Sequence, residues 1–241
     1  MAHVNMYKSL LSPFDGGPSI TSEPIKILIG KTEEVTYAPK QLLESSSDFF
    51  KKALQEEWLE GSEHIVKLPT SNLESFGIYV KWLYTGKCSA VFFFFLSETA
   101  EGRAPVWTRL GKCYAMGDFL QDFDFKDAVV DAFAAGILDT VACPLRLSNF
   151  IYPYSRKDSN HRIFARDLIV HVFIRKVMRF DFIQNLDTPR EYRQDILQAL
   201  VPLVDNRISK ISVATFLARN SPCHFHDHGD AKPCYRKRFN P

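Results

Sequence analysis

No stretch of these 241 residues approaches the run of about twenty apolar side chains that a membrane helix needs. The amino-terminal segment MAHVNMYKSLLSPFDGGPSITSEP has no basic region leading into a long apolar core, so no secretory leader is expected there. Net charge is missing as well. Thirty Lys and Arg offset 28 Asp and Glu to a balance of +2, which is neither the basic field of a dedicated nucleic-acid binder nor an acidic excess. The cysteines Cys88, Cys113, Cys143, Cys223 and Cys234 are odd in number and widely spaced, a pattern of reduced thiols rather than a disulfide framework. The chain also lacks a glycine-rich phosphate cradle, a nucleophile elbow and a zinc-protease helix, and no set of polar residues names a general base. These absences predict a soluble intracellular protein, cytoplasmic or nuclear, that is not an enzyme and contacts no membrane.

What is present is a sequence of short, well-punctuated elements. Residues 1–22 are rich in Ser, Pro and Gly without a sustained period, which predicts a mobile arm. Ile25, Ile27 and Ile29 then alternate with Lys26 and Leu28. Gly30 and Lys31 mark a turn before Val35 to Tyr37, the pattern of a hairpin with one buried face that ends at Pro39. Leu42 and Leu43 lie on a short helix that the serines interrupt, because Ser side chains compete for nearby backbone groups. Ser46 or Ser47 caps a second helix, with Asp48 at its positive end and Phe49, Phe50, Ala53, Leu54 and Trp58 as its buried stripe; Gly61 closes the turn. His64 to Leu68 reads as a strand stopped by Pro69. Ser71 and Glu74 have capping-box spacing ahead of a helix bearing Phe76, Tyr79, Val80 and Leu83, which Gly86 ends in the left-handed conformation.

The stretch KILIG…VTYAPKQLLESSSDFFKKALQEEWLEGSEHIVKLPTSNLESFGIYVKWLYTG resembles a BTB/POZ domain, of the kind abundant in filamentous fungi. The leucine pair, the small polar break, Phe-Phe, the strand ending at Leu-Pro and Trp-Leu-Tyr-Thr-Gly follow the family's order and spacing. The likeness continues through LGKCYAMGDFLQDFDFKDAVVDAF. It implies an α+β fold: a BTB/POZ domain over residues 23–140, a small sheet flanked by helices, followed by an all-helical extension over 141–219. It also implies protein–protein association. Such domains commonly dimerise, and some recruit a cullin-type ubiquitin ligase scaffold, so a self-associating scaffold or adaptor is the expected function, with a homodimer and a cullin as the implied partners. The chain departs from the pattern at Pro39, where many members carry a histidine before the lysine of the leucine-pair motif. Leu42, Leu43, Phe49, Phe50, Trp82 and Leu83 are read as core positions that identify the scaffold, not as binding residues.

The segment CSAVFFFFLSETAEGRAPVW departs furthest, as an unusual insert at 88–105. Phe92 to Phe95 are expected in a strand or loop packed on the domain, with an exposed docking patch as the other reading. A translated pyrimidine-rich tract ahead of a splice acceptor is a third origin, since removing Ser89 to Pro105 restores nearly the family's spacing. Beyond it, Trp107, Leu110, Cys113 and Tyr114 form one helical stripe. Phe125, Ala128, Val129, Ala132 and Phe133 form another, capped by Asp122 or Asp124. After a break at Pro144, HRIFARDLIVHVFIRKVM places Phe164, Leu168, Val172 and Val177 near one face, with Arg162, Arg166, Arg175 and Lys176 in solvent and His171 packed and hydrogen-bonded. Tyr192, Ile196, Leu197 and Leu200 predict a further helix before Pro202.

Residues 220–241 hold the constellation best suited to chemistry. Cys223, His226 or His224, His228 and Cys234 bring two thiols and several imidazoles into twelve residues, the donor types of tetrahedral zinc, at a spacing irregular for the common zinc modules. A solvated tail and a cysteine pair joined by oxidation are the other readings. No other cofactor is expected. Lys232, Arg236, Lys237 and Arg238 form a short basic cluster, so a zinc-binding regulator that touches nucleic acid through this tail is the second functional reading. The cluster is too short to make nucleic acid an expected partner by itself.

Overall fold

The computed structural model describes residues 22–55, 57–88, 100–140, 146–173, 187–203, 211–219, 221, 223–228 and 232–239. Alternation builds the sheet. On β1 (Pro24–Ile29), Ile25, Ile27 and Ile29 are fully buried while Lys26 and Leu28 are half-buried. Gly30, at a φ of 73° that suits a residue without Cβ, turns the chain into β2 (Glu34–Pro39), antiparallel with Ile27 opposite Thr36. The hairpin ends at Pro39, where the sequence places its stop. β3 (Ile65–Leu68) lies parallel to β1 on its other edge, giving the order β2-β1-β3.

Between β2 and β3 run three short helices, one more than the sequence suggests. α1 (Lys40–Glu44) buries Leu42 and Leu43. The serine break follows, and α2 (Asp48–Ala53) starts at Ser47, whose Oγ accepts the Phe50 N–H at 3.1 Å and donates to the Leu120 carbonyl at 2.6 Å. Phe50 and Leu54 are buried as expected, but Trp58 is 58% exposed. Its register belongs to α3 (Leu59–Glu63), for which it is the N-cap residue, so the α2 period does not reach it. Gly61 does not close a turn either. It lies inside α3, where a Cβ would come within 2.0 Å of the Gln55 carbonyl oxygen, and His64, at a φ of 55°, makes the turn into β3.

α4 (Leu73–Thr85) buries Phe76, Tyr79, Trp82 and Leu83 and ends at Gly86 with φ 66°. Its cap is Asn72 rather than Ser71: Asn72 Oδ1 accepts the Ser75 N–H at 2.8 Å. α5 (Ala100–Phe119) begins inside the segment expected to be an insert, so residues 100–105 are continuous with the helix bearing Trp107 and Tyr114. Phe92 to Phe95 lie outside the described residues. α6 (Phe123–Thr140) packs against α5 and is capped by Asp122, whose Oδ1 accepts the Phe125 N–H and whose Oδ2 accepts the Tyr79 hydroxyl, both at 2.9 Å.

The helical extension comprises α7 (Leu147–Ile151), α8 (Asn160–Asp167) running into a π-helical stretch Leu168–Phe173, α9 (Arg190–Leu200), α10 (Val213–Ala218) and α11 (Tyr235–Phe239). Phe164, Leu168 and Val172 are buried as the pattern predicts; Pro144, Arg175, Lys176 and Val177 lie outside the described residues. Arg162 is not in solvent. It is buried, donating to the Tyr152 and Ser155 carbonyls and to Glu191. Leu197 is 57% exposed, leaving Tyr192, Ile196 and Leu200 as the buried face of α9. His171 is half-buried with its ring stacked on Phe216. One contiguous apolar core joins Ile25 on β1 to Tyr235 on α11. The chain is therefore an α+β protein, and among the described residues no helix is long and apolar enough to cross a membrane.

Candidate metal centre

α6 places three of its aspartates, Asp124, Asp127 and Asp131, at offsets of three and four, so they share one face of the helix. The carboxy-terminal segment lies along that stripe. Lys232 reaches Asp124 at 3.0 Å. Asp127 Oδ1 accepts the Asp227 backbone N–H at 2.8 Å and lies 2.9 Å from His161 Nε2. Asp131 gathers His226 Nε2 at 3.0 Å, the Tyr235 hydroxyl, and Arg236 at 2.9 and 2.6 Å. Burial alone would raise the Asp131 carboxyl, but His226, Tyr235 and Arg236 outweigh it and hold it below the usual carboxylate value.

A second set of bonds fixes the same segment to α8. Ser159, the N-cap residue of α8, donates its hydroxyl to Asp227 Oδ2 at 2.6 Å; Asn160 N–H donates to Asp227 Oδ1 at 2.7 Å, and the Asn160 side-chain amide donates to the His226 carbonyl. Asp227 thus completes the amino-terminal turn of α8, where a carboxylate is favoured. His161 is fully buried with Tyr114 and Asp127 on its two ring nitrogens. Phe225 is buried against Phe164 and Phe216, and Tyr235 against Trp82. The segment is therefore not a solvated tail.

Held from both sides, Cys223, His226, His228 and Cys234 converge: one donor atom from each lies within 4.8 Å of all the others. His226 and Cys234 are buried, Cys223 and His228 half-buried. Cys234 Sγ is 3.5 Å from His226 Nδ1. His224, the alternative to His226, is outside the set, its ring edge-on to Phe225 at 4.7 Å. Cys223 and Cys234 are thiols. Burial, reinforced by the Cys223 thiol, pushes Cys234 up to about 11. Two thiols and two imidazoles are the donor chemistry of a tetrahedral site for a borderline-soft divalent cation.

The four donors are those named from the sequence, whereas the aspartates, His161 and Ser159 that hold them are not. A signal for the aspartates does exist in DAVVDAF, where two acids four residues apart interrupt a buried apolar stripe. Ser159 and His161 carry no comparable signal, since their partners lie 68 and 34 residues away. No family model matches the chain, and no curated protein matches it.

Proposed function

We propose that this chain is a protein–protein association module of the BTB/POZ type, a non-enzymatic scaffold or adaptor that acts by presenting a surface to a second protein chain. The observation that carries the reading is topological. A hairpin, a leucine-pair helix, a Phe-Phe helix and a third strand parallel to the first make a β2-β1-β3 sheet, in the order in which the resembling motifs occur. The surface supports it too. Trp58 is 58% exposed and lines a 260 Å³ groove whose walls are apolar at Phe49 and Ala53 and charged or polar at Lys52, Glu60, Lys67 and Gln121. Phe119, 43% exposed, packs on Phe49 beside it. Clustered exposed aromatics are what a docking patch offers. The nucleic-acid reading has less support, because Lys232 and Arg236 of the basic cluster are already paired with Asp124 and Asp131.

Light scattering on the full chain, together with affinity purification from cells and mass spectrometry, tests the reading. A stable dimer, or stoichiometric recovery of another protein, supports it, and recovery of a cullin specifies a ligase adaptor. A monomer that captures nothing overturns it. Trp58→Glu replaces an exposed ring, so folding should survive while association weakens at least about tenfold, as loss of an aromatic anchor would cause. Undiminished association in that variant would move the docking site elsewhere on the surface.

A further inference from the structure

We propose that Cys223, His226, His228 and Cys234 bind one zinc ion in a closed tetrahedral site whose task is to lock the carboxy-terminal segment onto α6 and α8. The inference is independent of the association reading. Zinc holds sulfur at about 2.3 Å and imidazole nitrogen at about 2.0 Å, so tetrahedral donors sit about 3.3–3.8 Å apart. The Cys234–His226 separation of 3.5 Å already has that value, and the whole set, within 4.8 Å, closes on an ion with movements of about an ångström. As the two Zn–S bonds form, each thiol gives its proton to solvent, and two thiolates balance the charge of the ion.

Two features beyond the donors point to a cation. His226 presents Nδ1 to the cluster while Asp131 holds its Nε2, the carboxylate–histidine arrangement that fixes the tautomer of a ligating imidazole and raises its basicity. Asp127 Oδ2, fully buried, has no hydrogen-bond partner among the described residues and lies 3.9 Å from that same His226 Nδ1. An unsatisfied carboxylate oxygen in the interior is costly, and an ion seated at His226 Nδ1 would set its local positive charge beside that oxygen although the site as a whole is neutral. Four protein donors fill a tetrahedral shell and leave no position for water or substrate, so the site is structural rather than catalytic.

The test is metal content of the full chain, expressed with zinc and purified under reducing conditions. One zinc per chain is expected. Substitution with cobalt should give the ligand-field spectrum of a tetrahedral site with two thiolates. Cys223→Ser together with Cys234→Ser should abolish both signals, whereas His224→Ala should keep them, because His224 stands outside the set. Asp131→Asn should retain the tetrahedral cobalt spectrum but weaken zinc binding about 10–100-fold, as loss of an outer partner does. Should the cysteine variants fail to fold, the cobalt spectrum of the parent chain still decides. A folded chain without zinc, zinc retained in the double cysteine variant, or thiol counting that finds Cys223 and Cys234 joined as a cystine would each overturn the proposal.

Discussion

At the scale of single residues, the interior of this protein depends on carboxylates that burial would otherwise expel. Asp122 caps α6 and accepts the Tyr79 hydroxyl at the same time. Burial raises its pKa above the ordinary value, and the Phe125 amide, Ser46 and Tyr79 only partly oppose this. The folded chain thus holds the Asp122 proton more tightly than the unfolded chain. The stability this group contributes is complete below the ordinary carboxylate range and is lost as pH rises through the raised value. Asp122→Asn keeps an acceptor for Phe125 N–H and removes the titration. Urea midpoints of variant and parent, measured from acid to neutral pH, should therefore shift in the variant's favour as pH rises. A constant difference would mean that Asp122 binds its proton equally well in the folded and the unfolded chain. The sequence leaves Asp122 and Asp124 as alternative caps, of which the fold selects Asp122, so an aspartate cap at this point is legible in it. The role of Arg162 is not: a helical wheel puts it off the apolar face, yet the carbonyls of Tyr152 and Ser155, from a neighbouring turn, bury it.

At the scale of elements, periodicity carried the reading where one face alone is buried and failed where elements are too short to show a period. Ile25, Ile27 and Ile29, the α4 stripe and Gly86 all stand where alternation, helical spacing and the left-handed stop put them. Between Ala53 and Ile65 a five-residue helix replaces the expected tail of α2, and Trp58 turns outward with it. The serine break shows what such short elements rely on instead. Ser47 joins α2 to the far end of α5 by accepting from Phe50 N–H and donating to the Leu120 carbonyl. Ser47→Ala forfeits a cap, about 1 kcal/mol, and a buried hydrogen bond, about 1 kcal/mol more. The Leu120 carbonyl keeps the Phe49 N–H at 3.3 Å and is not orphaned, which limits the loss to about 2 kcal/mol. Chemical denaturation should show a lower midpoint with an unchanged m-value; a change below about 0.5 kcal/mol would deny the serine break its structural role.

At the scale of the molecule, the carboxy-terminal segment separates two views of the chain: a finished domain carrying an appendage, or one core closed by its last residues. The donor set of the metal centre is legible in the sequence because cysteine and histidine cluster within it. Its embedding is not, because Asp127, Asp131, Ser159 and Asn160 meet it from 66 to 105 residues away. Deleting residues 220–241 separates the two views. It would bare Phe164 and Phe216 where Phe225 covers them and one side of Trp82 where Tyr235 does. It would also strip Asp131 of His226, Tyr235 and Arg236, and α8 of Asp227. The newly bared apolar surface at Phe164, Phe216 and Trp82, with the loss of the hydrogen bonds that Asp131 and the α8 amino terminus now make, should remove a large share of the stability of a domain that is marginally stable to begin with. The truncated chain should therefore bind a hydrophobic dye and unfold at lower urea with reduced cooperativity. A segment that merely lay on the surface would come away with the urea midpoint unchanged. That result would place the closure of the core in residues 23–219 alone and leave the acidic stripe of α6 facing solvent at no cost.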